Sequence, residues 1–225
     1  MGVEEGREPG RGSTRRSIVR VPVAAALAAA LLVGLSACGA PSGAAATAST
    51  SPAFYGTALD PPLAKPTTTF TDTDGQPFRI DQDTRRHVTL VYFGYTHCTD
   101  VCPAVLADLA AALRPLDPAT RKHTVVLYVT VDPARDTPAV MRTYLARFDP
   151  TFVGLTAPFA QVQAAAADLG VAVTRPSQDP GSAYEVDHGA QVIGFAADGL
   201  GRVLWLPGTP VDDITMDVRR LASMS

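Results

Sequence analysis

An α/β domain with a mixed central sheet flanked by helices is the fold class that the sequence predicts. Two short and almost wholly apolar runs, residues 87–93 and 124–131, are typical of strands covered on both faces. Two alternating segments, residues 191–197 and 202–206, enclose the turn Asp-Gly-Leu-Gly at 198–201 and indicate a hairpin. Strands connected through helices and followed by a hairpin predict helices packed on a mixed sheet.

The first core strand, residues 87–93 (HVTLVYF), is rich in β-branched and aromatic side chains and stops at Gly94. A helix is predicted over residues 103–113. Pro103 suits its first turn, because proline lacks a backbone N–H group and the N–H groups of the first turn have no acceptor within the helix. The second core strand follows at residues 124–131 (TVVLYVTV). This alternation places the connection between the first strand and its helix at one edge of the sheet.

The remaining elements are shorter or more polar. Thr137 and Pro138 fit the N-cap and the first position of a helix. Gly170 fits the end of an alanine-rich helix, since glycine readily adopts the backbone conformation found there. The predicted elements after the second core strand are a helix at 138–148, a strand at 152–155, a helix at 159–169, the hairpin and a final helix at 211–224.

Residues 1–37 are predicted to be a signal peptide. Five arginines precede an uncharged run of 17 residues at 21–37, just below the length of roughly 18 expected of a spanning helix. The run ends in Leu-Ser-Ala-Cys, which resembles a lipobox, so Cys38 is predicted to be lipidated and to begin the mature chain. A retained membrane anchor with an incidental cysteine is the alternative. Residues 14–20 also resemble a twin-arginine signal, so the export route stays open.

The predicted division is a signal peptide at 1–37, the lipidated cysteine and a flexible tether at 38–62, and one domain at 63–225. Residues 39–53 lack charge and large apolar side chains, as a tether does. The full chain has net charge −3 and residues 1–37 carry +2, which leaves −5 on the mature chain. This acidic balance argues against nucleic acid as a partner. Attachment to the extracytoplasmic face of the cell membrane is therefore expected to come from the lipid.

The cysteines carry the strongest functional signal. Besides Cys38, the chain has only Cys98 and Cys102, at the junction of the first core strand and its helix. Export favours a disulfide, but closing so short a loop removes little chain entropy and stabilises little. The partial positive charge of a helix N-terminus is expected to favour the thiolate form. Thiol–disulfide exchange and metal binding are the two chemistries that remain.

Copper is the metal that this pair would suit, if a third ligand exists. Thiolates select Cu(I) and imidazole suits Cu(II). Of four histidines, His87 and His123 border strands and are expected at the surface, while His97 directly adjoins Cys98 and so cannot easily converge with it on one ion. His188 follows a loop rich in proline, glycine and serine. The residues alone leave His188 open as a ligand or a solvated loop residue.

Three motifs in order resemble the Sco/SenC family of copper-binding lipoproteins: VYFGYTHCTDVCP at 91–103, VDPARDTP at 131–138 and Tyr-x-Val-Asp-His at 184–188. The resemblance extends from about residue 64 to the last helix. It implies a thioredoxin-like fold and one copper ion, Cu(I) or Cu(II), bound by Cys98, Cys102 and His188. It also implies assembly of the binuclear copper site of a haem–copper (cytochrome c) oxidase. The expected partner is oxidase subunit two or another copper protein.

Two positions depart from the family pattern. Thr99 stands where the family usually has proline, and Gly189 follows His188 where the family commonly has serine. These changes affect the surface near the metal and leave the three ligands in place. Asp132, just past the second core strand, is expected either to hydrogen-bond the cysteine loop or a ligand, or simply to form a turn.

Several functions remain open on the sequence. A copper metallochaperone would transfer its ion by ligand exchange, while the same dithiol would instead reduce a disulfide in the target. A metal-independent thiol-disulfide oxidoreductase or thiol peroxidase of the cell envelope is the main alternative. The Cys-x-x-x-Cys spacing counts against it, because exchange enzymes of this fold usually have Cys-x-x-Cys. A copper-sensing protein without a transfer partner is a third possibility.

Overall fold

The computed structural model describes residues 53–174 and 186–224. The strands in these two ranges are β1 (Thr57–Ala64), β2 (Thr69–Asp72), β3 (Pro77–Arg79), β4 (Val88–Gly94), β5 (Thr124–Thr130), β6 (Val153–Thr156), β7 (Val192–Phe195) and β8 (Leu200–Trp205). The helices are α1 (Ile80–Asp83), α2 (Val101–Leu113), α3 (Pro118–Lys122), α4 (Pro138–Leu145), α5 (Phe159–Asp168) and α6 (Val211–Ala222).

One eight-stranded sheet organises the domain, in the order β1-β8-β7-β4-β5-β6-β2-β3. Strand β4 pairs in parallel with β5, and β5 pairs in parallel with β6, whereas β7 runs antiparallel to β4. The sheet is therefore mixed, and the predicted α/β class is confirmed. Because β4 and β5 are central and parallel, their carboxyl ends meet at one edge of the sheet, where the cysteine loop begins.

The core lies on both faces of the central strands. All seven residues of β4 are buried, which is why its sequence is apolar without alternation. Tyr92 and Tyr128 face one cluster, which includes residues of α2, α4 and α6. Phe93 and Val129 face the other, which includes residues of α5. The sheet is thus covered on both sides, and the segment after β4 is held between two packed layers.

The first three strands are absent from the sequence prediction. Strand β1 begins at Thr57 and pairs with β8, so it lies partly inside the segment 38–62 that was predicted as a tether. It contains Pro61 and Pro62 and is mostly exposed at the sheet edge, which removes the apolar pattern that identifies a strand. Strands β2 and β3 have four and three residues, too few for a period to be read.

Helices α1 and α3 were not predicted, and α4 and α6 end at Leu145 and Ala222 rather than at residues 148 and 224. The predicted cap and turn residues agree with the structure. The Thr137 side chain accepts a hydrogen bond from the backbone N–H of Val140 at 3.3 Å, as an N-cap does. Gly199 has φ +90° in the turn between β7 and β8, a conformation that favours glycine. Helix α2 starts at Val101, two residues before the predicted start. None of the helices in residues 53–174 and 186–224 has the length and apolar character needed to cross a membrane.

Candidate metal centre

The cysteine loop, residues 95–100, connects β4 to α2. It turns back on itself, because the backbone N–H of Cys98 donates to the carbonyl of Tyr95 at 3.2 Å. The Cys98 sulfur in turn accepts a hydrogen bond of 3.4 Å from the backbone N–H of Cys102, in the first turn of α2. The strand end and the helix start thus bring the two cysteines together. Both cysteines are free thiols in the structure.

The two thiols have different surroundings. Cys98 is partly exposed, whereas Cys102 is completely buried and accepts a hydrogen bond of 3.3 Å from the Tyr92 hydroxyl. Burial raises the pKa of Cys102 to about 12, although the Tyr92 hydrogen bond opposes this rise. The expected stabilisation of a thiolate by the helix N-terminus is therefore wrong for Cys102, since desolvation outweighs it. Cys102 is a neutral thiol until a cation replaces its proton.

His188 lies against the cysteine pair, although 86 positions separate it from Cys102 in the chain. Its Nε2 atom is 3.5 Å from the Cys102 sulfur. Its Nδ1 atom is 3.0 Å from the carbonyl oxygen of Gly189. Because a carbonyl only accepts, Nδ1 carries the proton, and the Nε2 lone pair is left on the side of the sulfur.

The backbone around His188 is fixed by pairing with the segment after α5. The backbone N–H of Gly189 donates to the carbonyl of Ala172 at 2.8 Å, and the backbone N–H of Thr174 donates to the carbonyl of Asp187 at 2.9 Å. Burial lowers the pKa of His188, opposed by its bond to Gly189 and by the Asp187 carboxylate. The imidazole is therefore neutral, which is the state that a metal ligand needs. Tyr184 of the third motif lies outside the described residues.

The residues present fit copper in their chemistry, but they do not form a finished site. Within residues 53–174 and 186–224, no three His, Cys, Asp or Glu side chains already converge as metal ligands do. Cys102 and His188 are in contact, and Cys98 is bound to the backbone beside them. Two sulfurs and a neutral imidazole are the donors that copper prefers. A bound copper ion would bring the third donor, the Cys98 sulfur, together with the other two.

Asp136 anchors the cysteine loop, and sequence reasoning missed it. Its buried carboxylate accepts hydrogen bonds from the backbone N–H of Thr96 at 2.9 Å and from the Thr96 hydroxyl at 2.6 Å. It also accepts from the Thr130 hydroxyl at the end of β5, at 2.7 Å. One carboxylate thus joins the loop to the neighbouring strand. Its place in VDPARDTP, at the carboxyl end of a central parallel strand, is the signal that could have found it.

Asp132, which was expected either to bond the cysteine loop or a ligand or to form a turn, forms the turn: its carbonyl accepts from the backbone N–H groups of Arg135 and Asp136 at 3.1 and 3.0 Å. Its buried carboxylate accepts from the Arg135 guanidinium, and Arg135 lies 5.8 Å from the ring centre of Tyr95. The Tyr95 ring meets the His188 ring edge-on at 5.9 Å. Asp132, Arg135 and Tyr95 thus form a row of neighbouring side chains that leads to His188, while Asp136 bonds the backbone of the cysteine loop at Thr96.

The other three histidines lie elsewhere. His87 and His123 precede β4 and β5, at the strand ends opposite the cysteine loop, with their ring centres 5.5 Å apart. His97 is in the loop, but its side chain is 52% exposed and lies 3.8 Å from Asp136. Of the four histidines, only His188 is hydrogen-bonded to a cysteine within the described part of the chain.

A model of the SCO1/SenC family matches residues 58–223. The chain belongs to this family. It is 33% identical over 144 residues to the mitochondrial protein SCO2 of Saccharomyces cerevisiae, which is 64% of this chain and 47% of that relative. The chain spans about half the length of the relatives that it matches first. The predicted membership is confirmed for this domain.

Solved structures of the family support the fold. The copper-bound structure of ScoI from Bradyrhizobium japonicum matches with a TM-score of 0.62 and 29% identity, over 71% of this chain and 99% of that one. A SCO1/SenC family lipoprotein from Bacillus anthracis matches with a TM-score of 0.62 and 25% identity, over 73% of this chain and 99% of that one. The predicted thioredoxin-like fold is confirmed.

Proposed function

We propose that the protein binds one copper ion through Cys98, Cys102 and His188 and supplies it to the binuclear copper site of a haem–copper oxidase. The single observation that carries the proposal is the 3.5 Å contact between the Nε2 atom of His188 and the Cys102 sulfur. This contact joins the α2 start to a distant loop, at the position where the resemblance implies a ligand pair. The related Bradyrhizobium ScoI structure holds copper.

The three ligands would have different roles in transfer. Cys102 and His188 are buried or partly buried and are held by neighbouring groups, so they fix the ion in place. Cys98 is partly exposed and belongs to the loop, so a donor from the target protein can reach the ion from its side. Exchange would begin when that donor replaces the Cys98 sulfur. Copper is the cargo of this process, bound and then released.

The difference in exposure between Cys98 and Cys102 would also set their order in the dithiol reaction, which is the alternative to copper delivery. Cys98 would attack a disulfide of the target, forming a mixed disulfide and releasing one target sulfur as a thiol. Cys102 would then displace the second target sulfur, which leaves Cys98–Cys102 oxidised and the target reduced. The family and its copper-bound structure favour copper over a reaction without metal. The two roles differ in their need for His188.

Lipid attachment through Cys38 completes the proposal. Cys38 lies outside the described residues, and the support comes from the lipobox-like sequence and from the related Bacillus anthracis protein, a family lipoprotein. The domain would then work on the extracytoplasmic face of the cell membrane. Its target, oxidase subunit two or another copper protein, would lie in or on the same membrane.

The test is the replacement of His188 by alanine, compared with Cys98→Ser/Cys102→Ser and with the control His97→Ala. The double cysteine variant should lose Cu(I) and Cu(II) binding and oxidase assembly in cells. His188→Ala should weaken Cu(II) binding by at least ~10–100-fold and Cu(I) binding less, because two thiolates can hold Cu(I) alone. His97→Ala should bind both copper states normally, since its side chain is exposed.

The outcomes separate the proposed roles. Loss of Cu(II) affinity together with loss of oxidase assembly in His188→Ala supports copper delivery. Loss of copper with normal assembly shows that the dithiol is the functional part. Unchanged Cu(II) affinity and spectra in His188→Ala would remove it from the ligand set. Measurements are copper titrations of the purified protein and oxidase activity in cells that export each variant at normal levels.

A further inference from the structure

A surface groove of about 510 Å³ lies between the cysteine loop and α4. Thr96 and His97 of the loop line it together with residues of α4, and Arg147 lines it just beyond the end of that helix. We call it the α4 groove. Its volume is within the range of about 300–1,000 Å³ that holds a bound molecule. Because His97 adjoins Cys98 in the chain, a segment bound in the groove would lie beside the partly exposed sulfur of Cys98.

The α4 groove has an apolar part, which α4 supplies. The helix packs Met141, Tyr144 and Leu145 into the domain and leaves Val140 as its one large apolar residue that meets solvent, with 40% exposure. The neighbouring Ala139 is exposed as well, and both residues line the groove. A single exposed valine is common on protein surfaces, so the charge in the groove is more informative.

Arg147 places a positive charge in the groove without a counter-charge from its own domain. Its guanidinium lies 5.0 Å from the ring centre of Tyr144 and 5.7 Å from that of Phe148, within the reach of cation–π contacts. No carboxylate within residues 53–174 and 186–224 forms an ion pair with Arg147. Arg142 of α4, in contrast, is paired with Asp74 at 2.8 Å. The two rings therefore hold a cation that is left for an outside anion.

The acidic residues nearest to Arg147 in the fold are already engaged. Asp149, two positions along the chain, is paired with Arg121 at 2.7 Å. Asp136, below the cysteine loop, is completely buried and accepts two hydrogen bonds from Thr96. Neither carboxylate is therefore free to turn to the guanidinium. In a chain with net charge −3, this unpaired cation beside the cysteine loop favours an acidic partner.

We infer that the α4 groove binds an acidic segment of the protein that receives the copper, and that Arg147 binds a carboxylate of this segment. The inference rests on the proposed delivery of copper to oxidase subunit two. Arginine and a carboxylate form paired charge-assisted hydrogen bonds, which fix orientation as well as position. An apolar side chain of the same segment would contact Val140. Docking in this way would bring the metal donors of the acceptor to Cys98, the exposed side of the copper site.

The test compares Arg147→Glu, Arg147→Gln and Val140→Ser in the full-length protein, with Arg85→Glu as the matched control. Arg85 is also exposed, and it lies just before β4, at the strand end opposite the cysteine loop. Its replacement by glutamate changes the net charge as much as Arg147→Glu does. All samples, including the reference, carry Cys38→Ser so that two cysteines remain.

The measured quantity is the second-order rate of copper transfer to the purified copper domain of the organism's own oxidase subunit two. Stopped-flow absorption follows the loss of copper from the loaded protein at roughly 0.01 M and 1 M salt, where the Debye length is about 30 and 3 Å. Copper dissociation constants and thermal unfolding of each variant alone are measured in parallel.

The expected result depends on charge and on salt. Arg147→Glu should slow transfer at low salt by at least ~10-fold, and Arg147→Gln by less, because steering by a charge at an interface falls when the charge is removed or reversed. The differences should shrink at high salt. Val140→Ser should slow transfer at both salt concentrations, since an apolar contact is not screened. Arg85→Glu should transfer copper almost as the reference does.

Three results would overturn the inference alone. Arg147→Glu protein that transfers copper at the reference rate shows that the acceptor does not dock at the α4 groove. Equal slowing by Arg147→Glu and Arg85→Glu shows that only the net charge matters. Weaker copper binding or earlier unfolding of Arg147→Glu by itself shows a role inside the domain. A reference protein that binds copper but never passes it to subunit two would contradict the proposed function itself, and the inference with it.

Discussion

At the scale of single residues, the burial of Cys102 decides how the thiol pair behaves. Its pKa of about 12 lies above the ordinary value of 9.0, mainly because burial penalises the thiolate. Because folding raises this pKa, the copper-free domain holds Cys102 neutral below pH 9, and the stability that this group contributes is lost as pH rises from 9 towards 12. Copper binding at neutral pH must therefore release the Cys102 proton.

Selective alkylation tests this difference between the thiols. In copper-free protein at pH 8, iodoacetamide should label Cys98 at least ~10-fold faster than Cys102, because reaction needs an accessible thiolate. One equivalent of Cu(I) should protect both. Peptide mass spectrometry after timed quenching measures each site, and protein unfolded in urea is the control in which the rates should converge. Equal labelling of the folded protein would show that Cys102 is not shielded as the structure has it.

The site residues were predictable to different degrees. Cys98 and Cys102 stand out because few cysteines exist and the pair lies where a strand meets a helix. His188 needed the family motif, since only the folded chain shows its contact with Cys102. Asp136 was missed because Asp132 also follows the second core strand. The turn between these two aspartates determines which carboxylate faces the cysteine loop, and a sequence does not display that geometry.

At the scale of elements, the cysteine loop depends on its connection to β5. Asp136 accepts three hydrogen bonds, two from Thr96 in the loop and one from Thr130 in the strand. The loop is otherwise short and partly exposed, so this carboxylate limits how far Cys98 can move from Cys102. Cys98 itself is held by its backbone N–H bond to Tyr95 and by the bond that its sulfur accepts from the backbone N–H of Cys102.

Replacing Asp136 by alanine should therefore loosen the loop. Buried hydrogen bonds to a charged group contribute about 1.5–3 kcal/mol, so the unfolding free energy should fall by at least that amount. Copper affinity should fall as well, measured by chelator competition well below the unfolding temperature. Asp100→Asn is the control, because Asp100 is exposed and makes no side-chain cap bond at the start of α2. Full stability and affinity in Asp136→Ala would contradict the anchoring role.

How well each strand could be predicted from the sequence depends on the strength of its apolar pattern. Strands β4 and β5 are predictable because burial on both faces demands a continuous apolar run. Strand β1 is not, because at the sheet edge it needs few apolar residues and it tolerates Pro61 and Pro62. Its pairing with β8 is a tertiary contact over a long sequence separation. The residues of β1 alone therefore do not indicate that β8 is its partner.

At the scale of the whole molecule, the entry of the chain into the domain is fixed by α6. The buried carboxylate of Asp217 accepts hydrogen bonds from the backbone N–H groups of Tyr55 and Gly56, at 3.0 and 2.9 Å. It also accepts from the indole N–H of Trp205 at 2.9 Å. The described chain is therefore fixed to the domain core from residue 55 onward. Any anchor at Cys38 would reach the domain through the intervening sequence, which is poor in charged and large apolar residues.

Replacing Cys38 by serine tests the anchor in the whole protein. Serine cannot accept the thioether-linked lipid, so the variant should leave the membrane fraction or accumulate as an unprocessed precursor. Cys98→Ser is the matched control, because it removes one thiol from the domain and should leave the protein in membranes. Metabolic labelling with a radioactive fatty acid, followed by membrane fractionation, measures both properties. Labelled, membrane-bound Cys38→Ser protein would exclude lipidation at this residue. Membrane retention without label would instead indicate an uncleaved apolar segment, the alternative reading of residues 21–37.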